Sequence, residues 1–195
     1  IEAGKLFLES LKVDIRALLS SIYENMKMLQ SEQNLSLHLL IDESLPEYIW
    51  ADPTRLRQVL MNLMNNGIKF TEEGEVSLGV HFERENLREG ILTFKVKDTG
   101  IGIDEESFGV IFKAFSQGDL STTRKYGGTG LGLTISSKIV AQMGGNLQFE
   151  SELGKGSTFY FSIKVPYLDE SADVENKKHF EVSILQKTLE RPMQF

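Results

Sequence analysis

The sequence predicts an α+β fold, because stretches with helical spacing of apolar residues are interspersed with stretches typical of strands. Three long stretches have apolar residues at every third or fourth position, and five shorter ones are predicted as strands. The chain has 195 residues, of which 41% are hydrophobic and 25% are charged. This length and composition suit one domain with a sizeable core and some appendages.

Each helix is predicted between start and stop signals in the sequence. The first, Ile15 to Leu29, follows Asp14, which is a good N-cap residue. The second begins at Asp52-Pro53 and runs to about Phe70. The third runs from Thr129 to Met143, and Gly144-Gly145 closes it. Its expected core-facing residues are Leu133, Ile135, Ile139, Val140 and Met143.

Strands are predicted where apolar and polar residues alternate or a short apolar run is bounded by turn residues. They are Leu35 to Leu39, Val76 to Glu83, Ile91 to Lys97, Leu147 to Ser151 and Thr158 to Val165. Two further elements are expected at the start of the chain. Ile1 to Glu9 is predicted as a short piece of helix, and Leu11 to Val13 as a brief extended segment.

Composition excludes several classes of function. The net charge of −7 is unfavourable for non-specific nucleic-acid binding, which needs clustered Lys and Arg. The absence of cysteine excludes disulfides and thiolate zinc sites. No apolar run approaches the length that spans a bilayer, and no signal peptide opens the chain. Because the first residue is Ile, we expect a fragment of a longer protein.

One face of the second helix carries an unusual set of polar residues. Asn62, Asn66 and Lys69 recur at steps of four and three, so they lie on the same side of the helix. An amide oxygen is a neutral ligand for Mg²⁺, and a Lys can neutralise a phosphate. The alternative is an ordinary solvated face, which this pattern alone does not exclude.

Two glycine-rich segments follow. Asp98 ends a predicted strand and precedes Gly100 and Gly102, which would let a ligand approach the backbone beside a carboxylate; the alternative is an Asx turn. The segment Gly127 to Leu133 opens the third helix, where free N–H groups favour an anion; the alternative is a flexible loop. It is not a P-loop, since no Lys-Ser or Lys-Thr follows.

Between these segments, Thr99 to Gly128 is long for a loop in a compact domain and is predicted as a lid. Its apolar residues would anchor the lid or dock a partner, and its basic residues would reach phosphates. The alternative is a satellite apolar cluster with solvated charges. The residues concerned are Phe108, Ile111, Phe112, Phe115, Arg124 and Lys125.

The order and spacing of these motifs resemble the catalytic domain of sensor histidine kinases, in the superfamily that includes DNA gyrase, the ninety-kilodalton heat-shock chaperones and MutL. The matching segments, over roughly Ile1 to Pro166, are Asp52 to Thr71 (the Asn box), Asp98 to Ile103 (first glycine box), Ile111 to Gln117 (Phe box), Gly128 to Leu133 (second glycine box) and Gly154 to Phe159 (final Gly-Thr turn). The resemblance implies a two-layer α/β sandwich: a mixed sheet of about five strands covered by three helices, with an ATP lid.

The resemblance also implies the cofactors, ATP and Mg²⁺, and a role for each matched residue. Asn66 would hold Mg²⁺ with Asn62 beside it, and Asn62, Asn66 and Lys69 would be the catalytic set. Asp98 would recognise adenine. Thr158 would support the adenine pocket. The other nucleotide-binding residues implied are Lys69, Phe70, Gly100, Gly102, Arg124, Lys125, Gly128, Thr129, Gly130, Leu131 and Gly132.

The implied function is transfer of the ATP γ-phosphate to a histidine on a separate dimerisation domain. A gyrase-type ATPase is less favoured, because Asn62 occupies the place of the Glu that activates water in that class, and an amide is a poor general base. A nucleotide-binding regulatory module without transfer is the other alternative. It should have lost glycines or the Asn, and none of the boxes is broken.

The same resemblance divides the chain and predicts its partners. Residues 1–12 would be the end of the dimerisation and phosphoacceptor helix with a linker, 13–166 the catalytic domain, and 167–195 a tail or linker. The expected partners are the protein's own phosphoacceptor domain, a response regulator or receiver domain, and a second copy of the full-length protein, with no nucleic acid. We expect a cytoplasmic domain, and membrane anchoring of the full-length protein is left open.

Overall fold

The structure, a computed structural model, describes residues 7–29, 34–109, 111 and 131–168. In this part of the chain the helices are α1 (Ile15–Leu29), α2 (Pro53–Phe70) and α3 (Gly132–Gln142), with a short 3₁₀ helix at Glu105–Ser107. The strands are β1 (Leu11–Asp14), β2 (Leu35–Ile41), β3 (Tyr48–Ala51), β4 (Gly74–Arg84), β5 (Glu89–Asp98), β6 (Gln148–Glu152) and β7 (Gly156–Pro166).

The main sheet has five strands in the order β2-β4-β5-β7-β6. The β2–β4 pair is parallel and the other pairs are antiparallel, so the predicted mixed sheet is confirmed. Alternate residues of β5 and β7 are buried, with Phe94 and Phe161 stacked at a ring-centroid distance of 5.0 Å. The helices cover this apolar face, which gives the predicted α/β sandwich.

The start signals of α1 and α2 act as predicted. Oδ1 of Asp14 accepts a hydrogen bond from the N–H of Ala17 at 2.8 Å. Oδ1 of Asp52 accepts one from the N–H of Arg55 at 2.9 Å, and Pro53 lies in the first turn of α2. Both helices are therefore capped by an Asp whose side chain satisfies a free amide.

Several predicted bounds are wrong. Helix α3 begins at Gly132 rather than Thr129, and Ile135, expected in the core, is 40% exposed. Its neighbours Thr134 and Ser136 are buried instead. Phe7 to Glu9 are not helical, and residues 1–6 lie outside the described part. Glu89 and Gly90, expected in a turn, belong to β5.

Strand β3 was not predicted from the sequence. It pairs antiparallel with β1 in a separate two-stranded sheet, and Leu11 lies opposite Ala51. On its other side Ile49 bridges to Tyr167. The segments at both ends of the described chain therefore meet on β3.

Tyr167 lies one residue beyond the predicted domain end and packs into the core. It is 5% exposed, its hydroxyl donates to the carbonyl of Asn86 at 2.8 Å, and its ring meets that of Phe82 edge-on at 5.1 Å. These contacts join β3 to the turn between β4 and β5. The predicted boundary at Pro166 stays a prediction. None of the described helices has the length and apolar character needed to cross a membrane.

The Tyr167 contacts predict graded losses of stability. Tyr167→Phe should lower the free energy of unfolding by about 1 kcal/mol, the typical value of one hydrogen bond. Tyr167→Ala should lower it by about 3 to 5 kcal/mol, as expected for truncation of a core aromatic residue. Urea unfolding measures both, with the exposed Pro166→Ala as control. Equal and small losses in all three variants would mean that the core does not include Tyr167.

Candidate nucleotide site

The site is built where α2, the end of β5 and the start of α3 come together. Gly67 of α2 faces the sheet, and a Cβ there would lie 3.0 Å from Cγ1 of Val76 and 3.5 Å from Cβ of Asp98. The small residue therefore lets the α2 backbone lie close to the last residue of β5. Asn66 and Phe70 flank this contact on the same helix.

Asp98 is the buried carboxylate of the site. It is 7% exposed, and its Oδ1 accepts hydrogen bonds from the N–H of Gly100 at 2.9 Å and from the N–H of Ser157 at 3.2 Å. Within the described residues its Oδ2 has no hydrogen-bond partner. Burial raises the pKa of Asp98, and the two N–H groups offset this rise in part. The carboxylate is thus fixed through one oxygen, and the other can accept a ligand donor.

The first glycine box folds against the end of α2. A Cβ at Gly100 would lie 2.2 Å from the carbonyl oxygen of Phe70, so no larger side chain fits. The N–H of Ile101 donates to that same carbonyl at 3.1 Å. Gly100 and Ile101 thereby pack against the C-terminus of α2. The hydrogen bond from Ile101 also satisfies one of the free carbonyl groups at this helix end.

The same loop also contacts the turn between β6 and β7. Gly102 has a positive φ of 70°, and a Cβ there would lie 2.1 Å from the carbonyl oxygen of Glu152. The N–H of Gly154 donates to the carbonyl of Ile101 at 2.8 Å, and the N–H of Ile103 donates to Oγ of Ser151 at 2.8 Å. The first and last glycine motifs of the sequence are therefore one packed unit.

Thr158 is not brought to Asp98. It lies opposite Lys97 in the β5–β7 pairing, and successive residues of a strand point to opposite faces. Phe159 and Phe161 are buried under the helices, so Ser157 shares their face and Thr158 has the other. Ser157 is 7% exposed, and its N–H reaches Asp98. Strand alternation from Phe159 predicts that the Ser157 side chain is buried, but its N–H contact with Asp98 depends on the pairing of β5 with β7.

The polar face of α2 divides into parts with different contacts. Nδ2 of Asn62 donates to Oγ of Ser136 on α3 at 3.0 Å. Asn66 is half-buried and makes no hydrogen bond to another described residue. Nζ of Lys69 lies 5.0 Å from the centroid of the Phe70 ring. Asn62 is thus engaged by the protein, whereas the amide of Asn66 has no hydrogen-bond partner among the described residues.

Helix α3 begins beside Asn62. Leu131 occupies the N-cap position without a side-chain hydrogen bond to the first turn. A Cβ at Gly132 would lie 2.4 Å from Oδ1 of Asn62, so the helix start lies directly against α2. The N–H groups of a helix's first turn are the usual place for an anion to bind at a helix N-terminus.

Some predicted site residues lie outside the described part of the chain. They are Arg124, Lys125, Gly128, Thr129 and Gly130, together with Phe112 and Phe115 and the other residues of 112–130. Of the predicted aromatic anchors, Phe108 is described, and its ring meets that of Phe149 edge-on at 4.9 Å. Ile111 also packs against the core.

The environment of Asp98 predicts that an amide is tolerated in its place. Because the pKa is raised above the ordinary value of 3.8, folding disfavours the charged carboxyl at neutral pH. This penalty decreases as the pH falls below the raised pKa, and it disappears below the ordinary pKa of 3.8, where the carboxyl group is neutral in both states. Asp98→Asn keeps an oxygen for both N–H donors, so its unfolding midpoint at neutral pH should equal or exceed that of the parent chain.

Chemical denaturation at neutral pH and below about pH 3 tests this, because there the parent carboxyl is protonated and any advantage of the variant should vanish. Asp104→Asn is a matched control, since Asp104 is exposed and caps the 3₁₀ helix by accepting from the N–H of Glu106. A variant at position 98 that is markedly less stable at neutral pH would contradict the assigned cause of the pKa shift.

Comparison with known proteins identifies the family. The family model described as histidine kinase-, DNA gyrase B-, and HSP90-like ATPase matches residues 51–167, which is more than half of the chain. The chain is 39% identical over 165 residues to the signal transduction histidine-protein kinase BarA of Escherichia coli K12, covering 85% of this chain and 18% of that protein. It is 41% identical over 166 residues to the sensor protein GacS of Pseudomonas syringae, covering 85% and 18%.

Other similarities extend this result. The Dictyostelium discoideum hybrid signal transduction histidine kinase B is 39% identical over 166 residues, covering 84% of this chain and 8% of that protein. The chain therefore spans less than a fifth of the length of these curated relatives.

Solved structures agree. Full-length ShkA in complex with AMPPNP has a TM-score of 0.73 and 35% identity, covering 85% of this chain and 33% of that one. The nucleotide-free catalytic domain of the histidine kinase ThkA has a TM-score of 0.62 and 27% identity, covering 82% and 97%. The chain belongs to the family of histidine kinase-, DNA gyrase B- and HSP90-like ATPases, as a histidine kinase ATPase domain homologous to those of sensor histidine kinases.

Proposed function

We propose that this domain binds Mg²⁺-ATP and donates the γ-phosphate to a histidine on a separate dimerisation and phosphoacceptor domain. The observation that carries the proposal is the convergence of three elements: Asn66 on α2, Asp98 at the end of β5 and the first turn of α3. The contacts of Gly67 with Asp98 and of Asn62 with Gly132 keep these elements together. ShkA, a solved relative, is in complex with the ATP analogue AMPPNP.

The proposed adenine site is the carboxylate of Asp98. Its Oδ2, which has no hydrogen-bond partner in the described part of the chain, would accept from the amino group of the base. Gly100 leaves room beside it, and Gly102 shapes the loop that follows. Ser157 holds the carboxylate from the other side through its N–H. We assign Ser157 the supporting role that the sequence indicated for Thr158.

The proposed phosphate site combines α3, Lys69 and the glycine box. The first turn of α3, to which Leu131 provides no side-chain cap, would present backbone N–H groups to anions. The proposal extends to Phe70 and Leu131, which flank this region, and to Arg124, Lys125, Gly128, Thr129 and Gly130, which lie outside the described residues. Neutralising the phosphate charge is the main demand of phosphoryl transfer, and these groups meet it.

The donor set fits Mg²⁺. Among the described residues no cluster of three or more His, Cys, Asp or Glu forms a dedicated metal cage. Asn66 offers one neutral oxygen, and Mg²⁺ is commonly held by few protein ligands together with phosphates and waters. When bound, the ion neutralises phosphate charge and aligns the phosphate chain. Asn66 would hold it, and Lys69 would lie nearby on the same helix face.

Transfer is favoured over hydrolysis by the state of Asn62. Its amide cannot take a proton at neutral pH, and its Nδ2 already donates to Ser136. No general base for water is thus provided at this position. We also propose a cytoplasmic location, dimerisation of the full-length protein, and a response regulator or receiver domain as a downstream partner, as expected for hybrid kinases such as the Dictyostelium relative.

Phosphoryl transfer in two parts tests the function. Incubated alone with γ-labelled ATP, this chain should stay unlabelled, because His38 and His81 lie on strands and contact Glu75 and Asp42. His179 lies outside the described residues and is expected to stay unlabelled too.

Addition of a histidine-bearing dimerisation domain from a sensor kinase should give acid-labile label on that domain. Release of inorganic phosphate without label would favour a gyrase-type ATPase, and binding without either reaction a regulatory module. Stable label on this chain alone would contradict the proposal.

Asn66→Ala should remove the contribution of Mg²⁺ to ATP binding. In Mg²⁺-containing buffer we expect about tenfold weaker binding, which corresponds to the loss of one strong polar contact. In EDTA the affinity should match that of the parent chain. Asn65→Ala is the matched control, because Asn65 is the adjacent residue on α2 and its side chain is exposed. Titration calorimetry measures all four conditions, and an equal loss with and without the metal would remove Asn66 from the ion site.

A further inference from the structure

We propose that Ser136 is a positioning residue that sets the place of the α3 phosphate turn by holding the side chain of Asn62. This inference rests on the proposed function and adds a residue that none of the sequence motifs identified. Three residues form the contact: Ser136 and Gly132 on α3, and Asn62 on α2.

The contact is a buried polar link between two helices. Ser136 is 1% exposed, and its Oγ accepts a hydrogen bond from Nδ2 of Asn62 at 3.0 Å. The two residues are 74 positions apart in the chain. A buried hydroxyl is costly without a partner, so the pairing with Asn62 is what makes a serine tolerable here.

Gly132 completes the arrangement from one turn earlier on the same face of α3. A Cβ at this position would lie 2.4 Å from Oδ1 and 3.1 Å from Cγ of Asn62. Both polar atoms of the Asn62 amide therefore contact α3. Its Oδ1 lies against Gly132 in the first turn, and its Nδ2 donates to Ser136. A single amide of α2 thus contacts two successive turns of α3.

The position of this link connects it to phosphate binding. Asn62 lies one turn before Asn66 on the same face of α2. Gly132 lies at the start of α3, where Leu131 provides no side-chain cap. The link thus spans from the helix that carries the proposed Mg²⁺ ligand to the turn that offers N–H groups to phosphates. Without it, the amide of Asn62 can rotate and the turn loses its fixed place.

Ser136→Ala should therefore weaken binding of phosphate-bearing ligands and leave base recognition intact. We expect ATP and ADP to bind about two- to tenfold more weakly, as for the loss of one hydrogen bond, and adenosine to bind unchanged. A purely structural role would lower the unfolding midpoint without changing the ratio of ATP to adenosine affinity. Ser137→Ala is the matched control, since the neighbouring serine makes no hydrogen bond to Asn62.

A double-mutant cycle tests whether Ser136 acts through Asn62. Asn62→Ala should give the same selective loss as Ser136→Ala, and the double variant should lose no more than either single variant. Asn62→Ala also provides the test if the buried substitution prevents folding, because Asn62 is half-buried on α2. Additive losses, an equal loss for adenosine, or no loss at all would overturn the proposal. A parent chain that binds neither ATP nor adenosine would contradict the proposed function instead.

Discussion

The site depends on two backbone N–H groups that donate hydrogen bonds to one oxygen of Asp98. Gly100 and Ser157 both donate to Oδ1, one from the loop after β5 and one from the start of β7. Because the carboxylate is 7% exposed, these donors offset part of the cost of burying it. The remaining cost is visible as a raised pKa. The arrangement keeps a carboxylate in a place where its second oxygen can select a ligand.

Close backbone contacts at three glycines hold the two N–H donors in position. Gly100 lies on the last carbonyl of α2, Gly102 on Glu152, and Gly156, with a φ of 106°, would place a Cβ 2.1 Å from the carbonyl oxygen of Asp98. Any side chain at these three positions would push the loop, α2 and the β6–β7 turn apart. The fixed position of Asp98, and so of the proposed adenine side, therefore follows from packing. The proposed phosphate side depends instead on the Asn62 contact with α3.

The sequence predicted the elements with long, regular patterns and missed those defined by distant pairing. Helix α2 and the five sheet strands have capping residues or alternation that identify them locally. Strand β3 has only four residues, too few for a pattern, and its existence depends on pairing with β1 and Tyr167. Thr158 was implied by the family resemblance alone, and the contact of the Ser157 N–H with Asp98 becomes visible only when β5 and β7 are paired. Ser136 was missed because a serine within an apolar helix pattern shows no partner until Asn62 is seen beside it.

The central claim is that Asp98 recognises the base while the start of α3 receives the phosphates. Amide chemical shifts from heteronuclear NMR, recorded during separate titrations with adenosine and with ATP, test it most directly. We expect adenosine to shift the signals of Gly100 and Ser157, and ATP to shift those of Leu133 and Thr134 as well. If adenosine leaves Gly100 and Ser157 unchanged while signals elsewhere move, the assignment of Asp98 as the base-recognising group is contradicted.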